Sequence, residues 1–195
     1  MEKFDRAIVF ATNAHKGQTR KGSNSPYIVH PLEVATIAAT MTDDEDILCA
    51  AVLHDTVEDT DITLEQIEEN FGTRVRQLVQ SETENKYKQI DPSASWKRRK
   101  AESLQDLKEA DGDMKMLWLS DKLSNMRSFF RMYLEEDDAL WQHFHMTDPQ
   151  QQYWYHHTIL EYLSDLDIHP AYQEYKRLLE IVFSTTIKKR GKEND

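Results

Sequence analysis

Apolar residues recur every three or four positions along most of the chain, which is the spacing of helices that bury one face. Near the N-terminus Phe4, Ile8 and Ala11 form one such stripe. A longer stripe runs through Leu119, Leu123, Met126 and Phe130. No segment shows the strict alternation of a half-buried strand. The pattern therefore predicts an all-α protein, a bundle of about ten helices.

Turn and capping residues divide this pattern into separate helices. Gly17 is a typical stop, Pro31 suits a first helical turn, and Thr63 with Gln66 has the spacing of a capping box. The predicted helices are 2–15, 31–41, 45–57, 64–71, 73–82, 94–109, 114–133, 150–165 and 170–188.

Length and composition fit a single globular domain. The chain has 195 residues, of which 39% are hydrophobic and 30% charged. We expect one domain at 1–187 and a charged tail at 188–195. The N-terminus lacks the apolar centre of a signal peptide, and no apolar run is long enough to span a bilayer. We therefore expect a cytoplasmic protein. Cys49 is the only cysteine and has apolar neighbours, so we expect it to be a buried thiol.

The formal net charge of −11 argues against nucleic acid as the main partner, and the lack of a long apolar run argues against a membrane. A small phosphorylated ligand needs only a local group of cations. Lys16, Arg20 and Lys21 form one such group, and residues 97–100 form another. The sequence leaves the formation of a homo-oligomer open.

The strongest candidate chemistry lies at His54 and Asp55, which follow the apolar run 47–53. An imidazole nitrogen and a carboxylate oxygen both bind divalent transition metals, whereas burying several acids without a cation is costly. Glu58 and Asp59 come one helical turn later, where a carboxylate can take a proton from water. The segment thus predicts part of a catalytic metal site.

Two distant residues are candidates for the remaining ligands. Asp121 lies inside an apolar helix but off its core stripe, and His30 ends a loop and opens a helix. A mixed set of two imidazoles and two carboxylates favours Mn, Fe, Co or Zn over Ca.

The order His30, His54-Asp55, Asp121 resembles the ligand order of the HD superfamily of metal-dependent phosphohydrolases. The surrounding segments resemble the hydrolase domain of the RelA/SpoT-type alarmone enzymes, and above all the stand-alone small alarmone hydrolases, over residues 4–131. They are AHKGQTRK at 14–21, PYIVHP at 26–31, AVLHDTVEDT at 51–60, FG at 71–72 and LSDKLSNMR at 119–127.

This resemblance implies an activity and a set of roles. The family removes the 3′-pyrophosphate of ppGpp or pppGpp with Mn²⁺, by attack of a water that the metal activates. Position by position, the four ligands above hold the metal, and Glu58 and Asp59 orient and deprotonate the water. Arg20 and Lys21 match a pair that contacts the base and its phosphates, and Asn125 matches a residue near the sugar.

Other assignments are less specific. Lys86, Arg98 and Lys100 are candidates for the remaining phosphates, although residues 97–100 also suit a solvated helix face. Ser124 stands where relatives usually carry His or Tyr, and the loop 22–25 varies among them. These departures leave open a phosphatase acting on a ribose 2′- or 3′-phosphate of another nucleotide. A non-catalytic nucleotide-binding module is the alternative outside enzymes.

The segment 141–157 contains several histidines and tryptophans, a composition that could indicate a second metal site. No partner ligands follow at a useful spacing, so we interpret it as packing or a subunit contact.

Overall fold

A computed structural model of the chain describes residues 2–22, 24–84, 87 and 89–187. These residues form helices and no named strand, which confirms the all-α prediction. The α-helices are α1 Lys3–Ala14, α2 Val29–Ala38, α3 Glu45–Leu53, α4 Thr56–Asp59, α5 Leu64–Phe71, α6 Thr73–Glu82, α7 Pro92–Glu109, α8 Gly112–Glu136, α9 Pro149–Tyr162 and α10 Pro170–Val182. Two 3-10 helices span Asp137–His143 and Ser164–Leu166. None of these helices has both the length and the apolar character needed to cross a membrane.

The chain divides into two compact units, one of residues 1–84 with 110–124 and the other of residues 85–109 with 125–195. The predicted single domain at 1–187 remains a prediction, and the predicted tail at 188–195 lies outside the described residues.

Helix α3 lies at the centre of the first unit. It packs against α1, α2 and α6, and α5 packs against α6. Cys49 to Leu53 are fully buried because neighbouring helices cover α3 on several sides, which explains its unbroken apolar sequence. Cys49 is a buried free thiol, as expected.

Local capping chemistry fixes where the helices of this unit begin. Asp44 caps α3 by accepting a hydrogen bond from the Asp46 backbone N–H at 2.9 Å. Thr63 and Gln66 form the predicted capping box at the start of α5. Gly72 has φ +94°, a conformation that favours glycine, and it joins α5 directly to α6.

The predicted helix 45–57 is wrong at its end, because α3 ends at Leu53. His54 and Asp55 lie in a turn before α4, where the Thr56 hydroxyl donates to the Leu53 carbonyl at 2.6 Å. A side chain that takes a backbone carbonyl in this way competes with the helical hydrogen bond. The Asp59 N–H still donates to the Asp55 carbonyl at 2.9 Å, so these two acids remain one turn apart.

An aromatic core holds the second unit together. Trp141 stacks on Phe183 with ring centroids 4.9 Å apart and meets Phe129 edge-to-face at 5.5 Å. His156 is buried and its Nδ1 lies 2.9 Å from the Tyr175 hydroxyl. Packing therefore accounts for Trp141 and His156, two of the residues that suggested a second site.

Candidate metal centre

The first unit brings the four predicted ligands together from three places in the chain. His30 lies in the first turn of α2, His54 and Asp55 follow α3, and Asp121 lies in α8. Ligand atoms of the buried residues His30, His54 and Asp121 all lie within 4.8 Å of one another. Asp55 joins them through its Oδ2 atom, which faces both imidazoles.

Four distances define the cluster. His30 Nε2 lies 3.5 Å from Asp55 Oδ2 and 3.1 Å from Asp121 Oδ1. His54 Nε2 lies 3.0 Å from Asp55 Oδ2 and 3.6 Å from Asp121 Oδ1. Ligand atoms about 2.1 Å from a common ion are about 3.0–3.4 Å apart at octahedral or tetrahedral angles. The residues present therefore fit a divalent transition metal.

Hydrogen bonds at the opposite ring nitrogens prepare both histidines to bind a cation. His54 Nδ1 lies 2.9 Å from the Ala51 carbonyl, which can only accept, so Nδ1 carries the proton. His30 Nδ1 lies 2.8 Å from the Ser124 hydroxyl, and that hydroxyl donates to Glu33 Oε2 at 2.7 Å. Because the Ser124 hydroxyl donates its only proton to Glu33, its oxygen accepts a hydrogen bond from His30 Nδ1. Both imidazoles thus present Nε2 to the cluster, as metal-ligating histidines do.

The charges of the cluster also favour a cation. His54 Nε2 is buried and makes no hydrogen bond, despite the carboxylates around it. Burial opposes protonation of His54, yet Asp55 and Asp121 hold its pKa well above the ordinary value. Burial also opposes the charged form of Asp55 and so raises its pKa. The two imidazoles outweigh this effect and hold the pKa of Asp55 well below its usual range. Such a cluster binds protons or a metal ion in competition.

Tyr27 supports the cluster and was not singled out in the sequence. Its hydroxyl donates to Asp55 Oδ2 at 2.5 Å and lies 3.3 Å from Asp59 Oδ2. Burial, together with these carboxylates, raises the pKa of Tyr27, so it stays a donor. Its ring packs on His15 with centroids 4.7 Å apart. The segment PYIVHP contained this residue, but nothing in it indicated a contact 28 positions away.

Lys122 and Glu82 form a second support that the sequence did not reveal. The Lys122 ammonium donates to Asp121 Oδ2, lies 3.5 Å from Glu82 Oε2 and sits 4.4 Å from the centre of the Trp118 ring. Burial raises the pKa of the Glu82 carboxyl to about 7, although Lys122 works in the opposite direction. Burial also raises the pKa of Asp121, but Lys122 and the imidazoles hold it well below its usual range.

The two predicted catalytic acids lie in α4, directly after the ligands. Glu58 is half-buried, and its Oε2 accepts a hydrogen bond from the Glu84 backbone N–H at 3.3 Å. Asp59 is exposed, and its backbone carbonyl accepts from the Gln18 side chain at 2.8 Å. Both acids are therefore tied to other elements of the first unit. Their catalytic role remains a prediction.

Arg20 and Lys21 lie in the loop between α1 and α2, which an isolated bridge between Thr19 and Pro26 closes. The Arg20 guanidinium lies 5.7 Å from the centre of the Tyr27 ring. Lys21 is exposed. Through Tyr27, Arg20 is thus connected to the side chain that bonds Asp55.

The remaining residues predicted to contact the substrate do not belong to the four-residue cluster, and their role remains a prediction. Asn125 is half-buried in α8, one turn after Asp121. Arg98 belongs to the second unit, where its Nε donates to Glu102 at 3.0 Å and its guanidinium lies 4.5 Å from the centre of the Tyr87 ring. Lys86 lies outside the described residues.

Comparison with known proteins places the chain in a family. Residues 7–144 match the model of the HD domain. The chain is 41% identical over 133 residues to a guanosine-3′,5′-bis(diphosphate) 3′-pyrophosphohydrolase of Aquifex aeolicus, covering 66% of this chain and 18% of that one. It is 39% identical over 128 residues to the mouse guanosine-3′,5′-bis(diphosphate) 3′-pyrophosphohydrolase MESH1, covering 64% and 68%.

Solved structures show the same fold. A metazoan ortholog of SpoT, described as hydrolysing ppGpp and as having a role in starvation responses, matches with a TM-score of 0.71 and 26% identity over 95% of this chain and 96% of its own. A crystal structure of a Listeria monocytogenes EGD-e protein matches with a TM-score of 0.70 and 32% identity, covering 83% and 98%.

The chain spans less than a fifth of the Aquifex relative and about two thirds of the mouse relative. The HD model nevertheless covers well over half of this chain and includes all four residues of the cluster. The chain belongs to the HD domain family.

Proposed function

We propose that this protein is a metal-dependent phosphohydrolase that removes the 3′-pyrophosphate of guanosine alarmones. It would convert ppGpp or pppGpp and one water into GDP or GTP and pyrophosphate. One observation carries the proposal: Nε2 of His30 and Nε2 of His54 each lie 3.0–3.6 Å from one oxygen of Asp55 and one oxygen of Asp121, with two further acids one turn beyond. Relatives named as 3′-pyrophosphohydrolases support this choice of substrate.

His30, His54, Asp55 and Asp121 would hold the cation. A divalent ion held by these residues would lower the pKa of water toward neutrality and would neutralise charge on the phosphate that is attacked. Mn²⁺ is the ion that the family resemblance implies, and it suits nitrogen and oxygen ligands. The cytoplasmic location expected from the sequence is part of the same proposal, and a homo-oligomer remains open.

Glu58 and Asp59 would handle the water. A carboxylate next to the ligands accepts a proton as the water oxygen attacks phosphorus, and general-base catalysis of this kind contributes about 10²–10⁴-fold. Glu58 is held by the Glu84 N–H through one oxygen, which leaves its carboxylate oriented. Asp59 is held between Gln18 and Tyr27. The reaction breaks the bond between phosphorus and the 3′ oxygen, and that oxygen leaves as a hydroxyl.

Arg20 would stack on the guanine base, because a guanidinium plane packs on aromatic rings and also binds phosphate through two donors. Lys21 lies beside it in an exposed position suited to a phosphate. Asn125 is proposed near the sugar, and Lys86 and Arg98 as phosphate contacts.

The test is a product analysis with purified protein stripped of metal by EDTA and then supplied with Mn²⁺. Anion-exchange chromatography of the nucleotide, together with a phosphate assay before and after added inorganic pyrophosphatase, identifies the leaving group. We expect GDP and pyrophosphate in equal amounts from ppGpp, no turnover without metal, and neither bound metal nor turnover in Asp121→Ala.

Other products would overturn the proposal in distinct ways. Orthophosphate from a nucleoside 2′- or 3′-monophosphate, with ppGpp left intact, would identify a ribose phosphatase. Binding of ppGpp without turnover at any metal concentration would identify a non-catalytic module. Full activity of Asp121→Ala would remove Asp121 from the site.

A further inference from the structure

Glu82 is a buried acid that neither the sequence motifs nor the proposed reaction uses. Its side chain is only 3% exposed, at the last residue of α6, and its Oε1 is buried without a hydrogen-bond partner. Leaving a charged group buried and incompletely paired costs free energy. An arrangement of this cost beside a catalytic centre calls for a functional explanation.

Lys122 connects Glu82 to the cluster. Its ammonium donates to Oδ2 of Asp121, while Oδ1 of the same carboxylate faces His30 and His54. The two oxygens of Asp121 therefore have separate roles, one toward the cation site and one toward Lys122. Glu82 Oε2 also lies within reach of the ammonium, at 3.5 Å.

The charges of Asp121, Lys122 and Glu82, here called the trio, influence how well the neighbouring site attracts a cation. Lys122 alone would cancel the charge of Asp121 and place a positive group next to the site. With Glu82 ionised, Asp121, Lys122 and Glu82 together carry a net charge of −1. The Lys122 side chain is only 12% exposed, and its ammonium also lies over the Trp118 ring. The ammonium is therefore confined rather than solvated. Partners behind metal ligands typically change metal affinity 10–100-fold.

We propose that Glu82 is a positioning residue for the metal centre, holding Lys122 on the outer oxygen of Asp121 so that the inner oxygen faces the cation with its charge preserved. The inference rests on the proposed metal site but not on the identity of the substrate. Glu82 acts through Lys122 and Asp121 and need not touch the nucleotide.

The test measures Mn²⁺ binding to metal-stripped protein by isothermal titration calorimetry, without any nucleotide. Glu82→Gln keeps the shape of the side chain and removes its charge, and we expect about tenfold weaker binding or more. Glu82→Asp keeps the charge and should lose less affinity. Glu69→Gln removes the same charge from an exposed position of α5 and should bind Mn²⁺ like the unmodified protein.

A double-mutant cycle with Lys122→Met tests whether Glu82 acts through the lysine. We expect the effect of Glu82→Gln to become at least threefold smaller once Lys122 is replaced. Thermal unfolding of the metal-free variants checks that each one folds.

Three results would overturn the proposal. These are unchanged Mn²⁺ affinity in folded Glu82→Gln, equal losses in Glu82→Gln and Glu82→Asp, or the same loss with and without Lys122. Failure of the unmodified protein to bind Mn²⁺ would instead refute the metal site on which both proposals depend. Mn²⁺ binding without alarmone hydrolysis would refute only the proposed function.

Discussion

Ser124 accepts a hydrogen bond from Nδ1 of His30 at 2.8 Å, although 94 positions separate the two residues in the chain. Ser124 is fully buried, and its hydroxyl donates a hydrogen bond to Glu33 Oε2. The residue that departs from the family pattern in sequence thus lies directly behind His30, one of the proposed metal ligands. The contact with Ser124 fixes which ring nitrogen His30 presents to the cluster.

Replacing Ser124 by Ala should weaken Mn²⁺ binding about 10–100-fold, because the Nδ1 proton of His30 loses its acceptor and the ring loses its orientation. Calorimetric titration of metal-stripped protein measures this. Ser120→Ala is the matched control, since Ser120 is also buried in α8 but donates only to the Met116 carbonyl. Equal affinities in the two variants would show that the Ser124 contact does not orient His30.

Tyr27→Phe should also weaken Mn²⁺ binding, by about tenfold, while leaving the ring packing on His15 intact. The hydroxyl donates to Asp55 Oδ2, the oxygen that faces both imidazoles, and hydrogen bonds to charged groups contribute about 1.5–3 kcal/mol. Tyr172→Phe removes a buried hydroxyl that bonds only a backbone carbonyl and serves as the control. A Tyr27→Phe protein that binds Mn²⁺ normally would contradict this support role.

Glu58→Gln should bind Mn²⁺ with unchanged affinity and lose at least about 100-fold in kcat, because the amide cannot accept the proton of water. The amide oxygen can still accept from the Glu84 N–H, so the local structure should persist. Steady-state hydrolysis of ppGpp and metal titration are measured on the same sample. Loss of metal would instead make Glu58 a ligand or a structural support, and normal turnover would remove it from catalysis.

Metal affinity should rise with pH. The carboxylates hold the pKa of His54 well above 6.5, so near neutral pH the metal-free protein carries a proton on His54 that an ion must displace. Raising the pH removes this competitor, and affinity should increase by up to about tenfold per pH unit until the raised pKa of His54 is passed.

Calorimetry at pH 7 in two buffers of different ionisation enthalpy measures the protons released. We expect about one proton per Mn²⁺ bound. A flat pH profile with no released proton would mean that His54 is already neutral before the ion binds.

The same pKa shifts set the pH range in which the metal-free cluster stabilises the fold. A histidine with a raised pKa contributes below its unfolded value near 6.5, and the contribution is lost as the pH rises through the folded pKa. Asp55 and Asp121 contribute above about 3.8 and lose the contribution as the pH falls through their lowered pKa values.

Local interactions made the helices of this protein predictable. The capping box of Thr63 and Gln66 and the glycine at position 72 involve neighbours a few residues apart, and their helix boundaries agree with the sequence. The unbroken apolar run at 47–53 likewise lies within a predicted helix, and α3 buries most of it. The end of α3 was missed because a threonine hydroxyl, and not a helix breaker, interrupts the backbone pattern there.

The sequence by itself determined the all-α fold and the types of residue that can bind a cation, because helical periodicity and ligand chemistry are properties of individual positions and their near neighbours. Only the tertiary structure decided that Tyr27, Ser124, Lys122 and Glu82 stand behind those ligands. Their contacts join positions 28 to 94 residues apart, except for the adjacent pair Asp121 and Lys122. Which side chain orients a ligand, and with what charge, depends on helix packing that no local pattern encodes.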